Sequence, residues 1–114
     1  MPVLDAGIVF ALSTDDGGLL VFPGVNEAVA YCEAVDVDGG GWYFFTVTGS
    51  PLAPKFDTMD RGSGFAIASG RYTLLPGSGR WLQERLRDVE YVRGGGLADV
   101  ESVKKFLPER PEAN

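Results

Sequence analysis

Residues 42–57 read WYFFTVTGSPLAPKFD, and this stretch decides the fold. Four consecutive aromatics followed by Thr-Val-Thr have the β-branched and aromatic character of a strand. The Gly49-Ser50-Pro51 triplet then breaks the pattern and turns the chain into a second run, Leu52 to Asp57. A strand of period two puts Tyr43, Phe45 and Val47 on one face and Trp42, Phe44, Thr46 and Thr48 on the other. The first set is expected in the core and the second half covered, or the strand is buried on both faces by helices. Pro54 cannot donate to a ladder, which marks 52–57 as an edge strand.

Upstream, Ile8 to Ser13 and Leu19 to Phe22 flank Thr14-Asp15-Asp16-Gly17-Gly18, the grammar of a β-hairpin. Pro23-Gly24 stops the second strand, and Asn26 stands as an N-cap with Glu27 in the first turn. Val25, Ala28, Val29, Cys32 and Val35 then repeat at helical spacing, so an amphipathic helix is expected there, ending in Asp36-Val37-Asp38-Gly39-Gly40-Gly41. Downstream, 58–64 reads as a loop and Phe65 to Leu75 as a strand interrupted near Ser69-Gly70. Two helices follow. One carries Trp81, Leu82, Leu86 and Val89 among alternating charges; the other carries Leu97, Val100, Val103, Phe106 and Leu107 and ends at Pro108. The expected architecture is α+β: one domain over 1–114, with 109–114 frayed, in which an antiparallel sheet of four to six strands packs with two or three helices.

Composition narrows the chemistry. Histidine is absent, which removes Ser-His and Cys-His nucleophile pairs and His-ligated zinc. A single cysteine, Cys32, admits no intrachain disulfide; on the apolar side of the first helix it reads as an inert buried thiol. Gly77-Ser78-Gly79 before a helix gives G-x-G, but Leu82 occupies the third glycine position and no Gly-Lys-Ser/Thr follows, so a plain turn is the reading. Asp36-Val37-Asp38-Gly39 has two acids of a calcium loop without its later ligands. No cofactor or metal is expected. Apolar stretches are far shorter than the roughly 20 residues of a spanning helix. The start, MPVLDAGIVFAL, carries an acid where a signal peptide has its basic region, and the expectation is a cytoplasmic protein without membrane contact.

Charge is laid out unevenly. Residues 1–70 hold nine acids and two bases, whereas 71–114 hold eight bases and seven acids, within a net charge of −6. An acidic front repels nucleic acid and attracts basic protein surfaces. Its acids gather at expected connections: Asp15-Asp16, Asp36-Asp38 and Asp57-Asp60. Tyr31 and Trp42 neighbour the middle group, and an aromatic with an acidic rim is the make-up of a binding hot spot. The helix with Arg80, Arg85 and Arg87 interleaves Glu84, Asp88 and Glu90, so it reads as a solvated, salt-bridged face. The candidate partner-binding residues are therefore Asp15, Asp16, Tyr31, Asp36, Asp38, Trp42, Asp57 and Asp60.

The stretch GLLVFPGVNEAVAYCEAVDVDGGGWYFFTVTGSPL, residues 18–52, together with the order hairpin, helix, aromatic strand, strand and C-terminal helices, resembles small acidic immunity proteins encoded beside secreted polymorphic toxins of bacteria. The resemblance implies a non-enzymatic antitoxin that binds a cognate toxin domain and blocks its basic active site. Two other readings stand beside it: an interaction module or homodimer joined through the strand at 52–57, and a small enzyme whose carboxylates, Asp57 and Asp60 or Asp36, line a closed pocket.

Overall fold

The computed structural model describes residues 7–33, 36–37, 39–56 and 72–108. The chain forms β1 (Val9–Ser13), β2 (Gly18–Phe22), α1 (Val25–Tyr31), β3 (Trp42–Thr46), β4 (Pro51–Phe56), β5 (Tyr72–Pro76), α2 (Leu82–Arg85), β6 (Tyr91–Arg93) and α3 (Val100–Phe106). A single 3-10 turn, Leu86–Asp88, continues α2. One sheet in the order β5-β4-β3-β1-β2-β6 organises the molecule. Every pairing is antiparallel except β2 with β6. The α+β class and the strand number match the sequence expectation.

The sheet is covered on both faces, which explains why β1 is buried along nearly its whole length. Alternation sends Phe10 and Leu12 to one side, where they meet Leu19, Val21, Phe45, Leu82, Leu86, Val92 and Val103 beneath α2 and α3. Val9 and Ala11 face the other side with Ala28, Cys32, Phe44, Tyr72 and Leu74 beneath α1. Neighbouring Phe44 and Phe45 are each 1 % exposed, on opposite faces. The Tyr72 hydroxyl donates to the Cys32 carbonyl and ties α1 to the far edge of the sheet. Burial, reinforced by Asp36, pushes the Cys32 thiol up to about 12, so at neutral pH it is a protonated, inert core group.

Several local expectations change. Pro54 does not mark an edge: β4 lies between β3 and β5, and β5 and β6 are the outer strands among the described residues. The physical reason lies in the register. β4 pairs with β3 only at Pro51 and Leu52, so Pro54 is opposed by Leu74 of β5 and sits beyond the β3 ladder, where a missing N–H breaks no bond to β3. Tyr43, expected in the core, is 43 % exposed: it falls outside the apolar cluster beneath α2 and α3 that buries Phe45, and what lies over its ring is the Arg85 guanidinium rather than an apolar side chain. Gly24, not Asn26, is the N-cap of α1, and the helix ends at Tyr31 with Cys32 as its C-cap. The expected broken strand from Phe65 is described only over Tyr72–Pro76. Strand β6 was not anticipated at all. α3 forms within the expected segment, over Val100–Phe106 with Leu97 before its start, and Pro108 follows the last turn; its N-terminus is a capping box the sequence reading did not name, in which Asp99 accepts from the Ser102 N–H and Ser102 Oγ accepts from the Asp99 N–H.

Candidate functional site: an acidic cleft at one end of the sheet

Strand directions place three connections at the same end of the sheet. β1 finishes and β2 begins there, β3 begins there, and β4 finishes there at Phe56. The β1–β2 turn is built by local polar chemistry. Ser13 Oγ accepts from the backbone N–H groups of Asp15 and Asp16 at 3.2 and 3.4 Å, and Gly17 N–H donates to the Ser13 carbonyl at 3.0 Å. Thr14 then joins this turn to the one before β3: its N–H donates to the Gly41 carbonyl and its hydroxyl to the Gly40 carbonyl, both at 2.9 Å. Asp36 and Val37 form a helical turn within that second connection, closed by Gly41 N–H donating to the Asp36 carbonyl at 2.8 Å.

A cleft of about 460 Å³ opens between the β1–β2 turn, the start of β3 and the segment from α2 to β6. Its walls carry four carboxylates, Asp15, Asp16, Asp88 and Glu90, and one cation, Arg85, with Tyr43 at its side and Leu12 behind. Two anchors hold the far wall. The Leu82 N–H donates to the Gly49 carbonyl at 2.9 Å, and Gln83 Nε2 donates to the carbonyls of Thr48 and Pro108, which fixes where α2 starts and so where Arg85 points. Glu90 N–H donates to the Gly17 carbonyl at 2.7 Å, locking the entry of β6 against the hairpin turn. The Arg85 guanidinium lies 4.2 Å from the centroid of the Tyr43 ring, a cation–π stack. Among the described residues no carboxylate lies within 4 Å of it, although four line the same cleft.

Asp16 is the most constrained of these acids. Its Oδ1 accepts from Gly18 N–H at 3.0 Å and its Oδ2 from the Tyr91 hydroxyl at 2.9 Å. These bonds, Gly18 first and Tyr91 second, hold its carboxyl below the usual carboxylate range, the opposite of what a general acid needs. The same contact raises the Tyr91 phenol above its ordinary value. Both shifts set the pH window of a Tyr91→Phe substitution. The carboxylate's contribution is complete above pH 3.8 and fades as pH falls through the lowered folded value; the phenol's is complete below pH 10 and fades as pH rises through the raised one. The stability difference between wild type and Tyr91→Phe is therefore expected to plateau between those limits and shrink at both ends. Chemical denaturation across pH checks this, and a pH-independent difference would refute the coupling.

The sequence-expected site residues divide into groups. Asp15 and Asp16 line the cleft. Asp36 lies at the same end, but its charge acts on Cys32, beneath α1 on the opposite face of the sheet. Tyr31 and Trp42 do meet, edge to face at 6.2 Å, with Phe22 against Tyr31 at 5.6 Å; Tyr31 is 60 % exposed. This aromatic row is also on the α1 face and contributes no wall to the cleft. Asp38, Asp57 and Asp60 fall outside the described residues. Four functional candidates were missed: Tyr43, read as core, and Arg85, Asp88 and Glu90, read as a solvated helix face. The expected salt-bridging of that face does not extend to Arg85. The signal available was the tyrosine itself, a residue with a polar tip placed at a strand start beside an acidic turn.

Among the described residues no helix is long and apolar enough to cross a membrane, and no group of three or more metal-ligating side chains assembles. Comparison with protein-family models, with curated proteins and with solved structures finds no match to this chain.

Proposed function

We propose that this protein is a non-enzymatic inhibitor of the immunity type, which binds a basic surface of a cognate toxin domain through the acidic end of its sheet. One observation carries the reading: Asp15 and Asp16 of the β1–β2 turn share a single open cleft with Asp88 and Glu90, contributed from more than 70 residues downstream. Local sequence would scatter these acids; the fold gathers them. Four exposed carboxylates around one depression create a negative potential that steers a cationic surface toward it and repels anionic ones. The downward shift of Asp16 favours a fixed anion over a proton donor.

The test is co-expression with the product of the adjacent gene. The two proteins are expected to co-purify at low ionic strength, with association slowing steeply as salt rises, and the neighbour's toxicity is expected to be relieved in cells. Failure to associate at any ionic strength, with both proteins folded, would overturn the proposal.

A further inference from the structure

The carboxylates alone do not say what the cleft receives, but one of its own side chains does. Arg85 reaches into an acidic cleft and yet makes no ion pair there among the described residues; its guanidinium instead covers the exposed ring of Tyr43. A planar cation over an aromatic face, inside a cleft lined by four carboxylates none of which pairs with it, marks a place where a guanidinium can lie. The seat is occupied from within. We infer that the cleft accepts an arginine side chain of the partner against the Tyr43 ring, and that Arg85 holds this place until the partner's guanidinium displaces it. This rests on the partner being basic, as proposed above, and adds the identity of the anchoring group.

The geometry agrees in three respects. A cleft of about 460 Å³ is large enough for an arginine side chain together with a displaced Arg85. Arg85 stands where α2 passes into the 3-10 turn Leu86–Asp88 and its side chain is only half-buried, so that side chain can change rotamer without disturbing the Leu82 and Gln83 anchors at the start of the helix. The surrounding charge is four carboxylates to one cation, so a second guanidinium still enters a net negative site.

The probe is N-acetyl-arginine amide, titrated into the isolated full chain at low ionic strength and read from the backbone amide resonances of Asp15, Asp16, Gly17 and Glu90 in the cleft walls, with the neutral citrulline analogue as control. Wild type is expected to bind the arginine probe weakly and the citrulline probe not at all. Vacating the seat with Arg85→Ala is expected to tighten binding about two- to five-fold, the worth of one exposed cation–π contact. Tyr43→Leu is expected to weaken it by a similar factor. Tyr43 and Arg85 are both outside the buried core, and a cooperative thermal unfolding transition, lowered by no more than the loss of their mutual contact, confirms that each variant is folded. Arg85→Ala that binds no better than wild type, or Tyr43→Leu that binds equally well, overturns the inference. The basic-partner proposal is separable: co-purification and its salt dependence survive if only the arginine seat is wrong, whereas the probe's response to Arg85→Ala survives if only the partner is wrong.

Discussion

Gly94→Ala is expected to lower stability by about 2–4 kcal/mol, while Gly96→Ala, two positions away in the same glycine triplet, costs about 1 kcal/mol. Both glycines have positive φ, +96° and +76°, so both substitutions incur the left-handed penalty of an L residue. They differ in what the new methyl meets. At Gly96 nothing lies within 4 Å. At Gly94 the Cβ would fall 2.5 Å from the backbone carbonyl oxygen of Val21, the residue of β2 just past its pairing with β6, and Val21 is held in place by its pairing with Phe10 of β1. Relief must come from β6, which has only three residues and a single neighbour. Gly94→Ala is therefore expected to loosen β6 as well, raising amide exchange at Tyr91–Arg93 beyond the change in global stability. Equal losses for the two variants would show that φ alone matters and that β6 does not need the close approach at Gly94.

That same segment shows where sequence reading stops. Thr14-Asp15-Asp16-Gly17-Gly18 announces a hairpin because each residue type acts on its own backbone, and Trp42 to Phe45 announces a strand through side-chain chemistry alone. Tyr91-Val92-Arg93 announces nothing. Three residues are too few to show a period, and what makes them a strand is the parallel edge that β2 offers, information held more than 70 residues away. Tyr43 fails differently. Alternation correctly puts it on the face of Phe45, but where on that face the cover of α2 and α3 ends depends on the Gly49 carbonyl and the Gln83 amide that fix α2. Pro54 was read by a sound rule, that proline avoids central strands, yet the rule applies to ladders and not to strands; β4 is central at one end and unpaired toward β3 at the other. The cleft combines these blind spots. Asp15 and Asp16 were legible as exposed turn acids, but their meeting with Asp88 and Glu90 depends on the β6 pairing that no local pattern encodes.

Reversing Asp15, Asp88 and Glu90 to Lys in one variant is expected to lower affinity for the basic partner by about 100-fold or more at low ionic strength, chiefly through slower association. Asp16 is left in place because its bonds to Gly18 and Tyr91 hold the turn. All three substituted side chains are exposed, so each is expected to change stability by only about 0.5 kcal/mol. The substitutions also remove the −6 net charge of the chain, and a loss of binding could follow from that alone. A matched variant separates the two causes. Glu27, Glu33 and Glu101 are exposed and lie outside the cleft, and reversing them changes net charge by the same amount. Association rates measured for both variants at two ionic strengths decide the question. If the cleft is the contact, its variant loses most of the rate and most of the salt dependence, while the matched variant retains a steep salt response because the local field at the cleft is intact. Equal loss in the two would mean that the partner senses only the overall charge, and the site would then have to be sought elsewhere, beginning with the exposed Tyr31–Trp42 row on the opposite face.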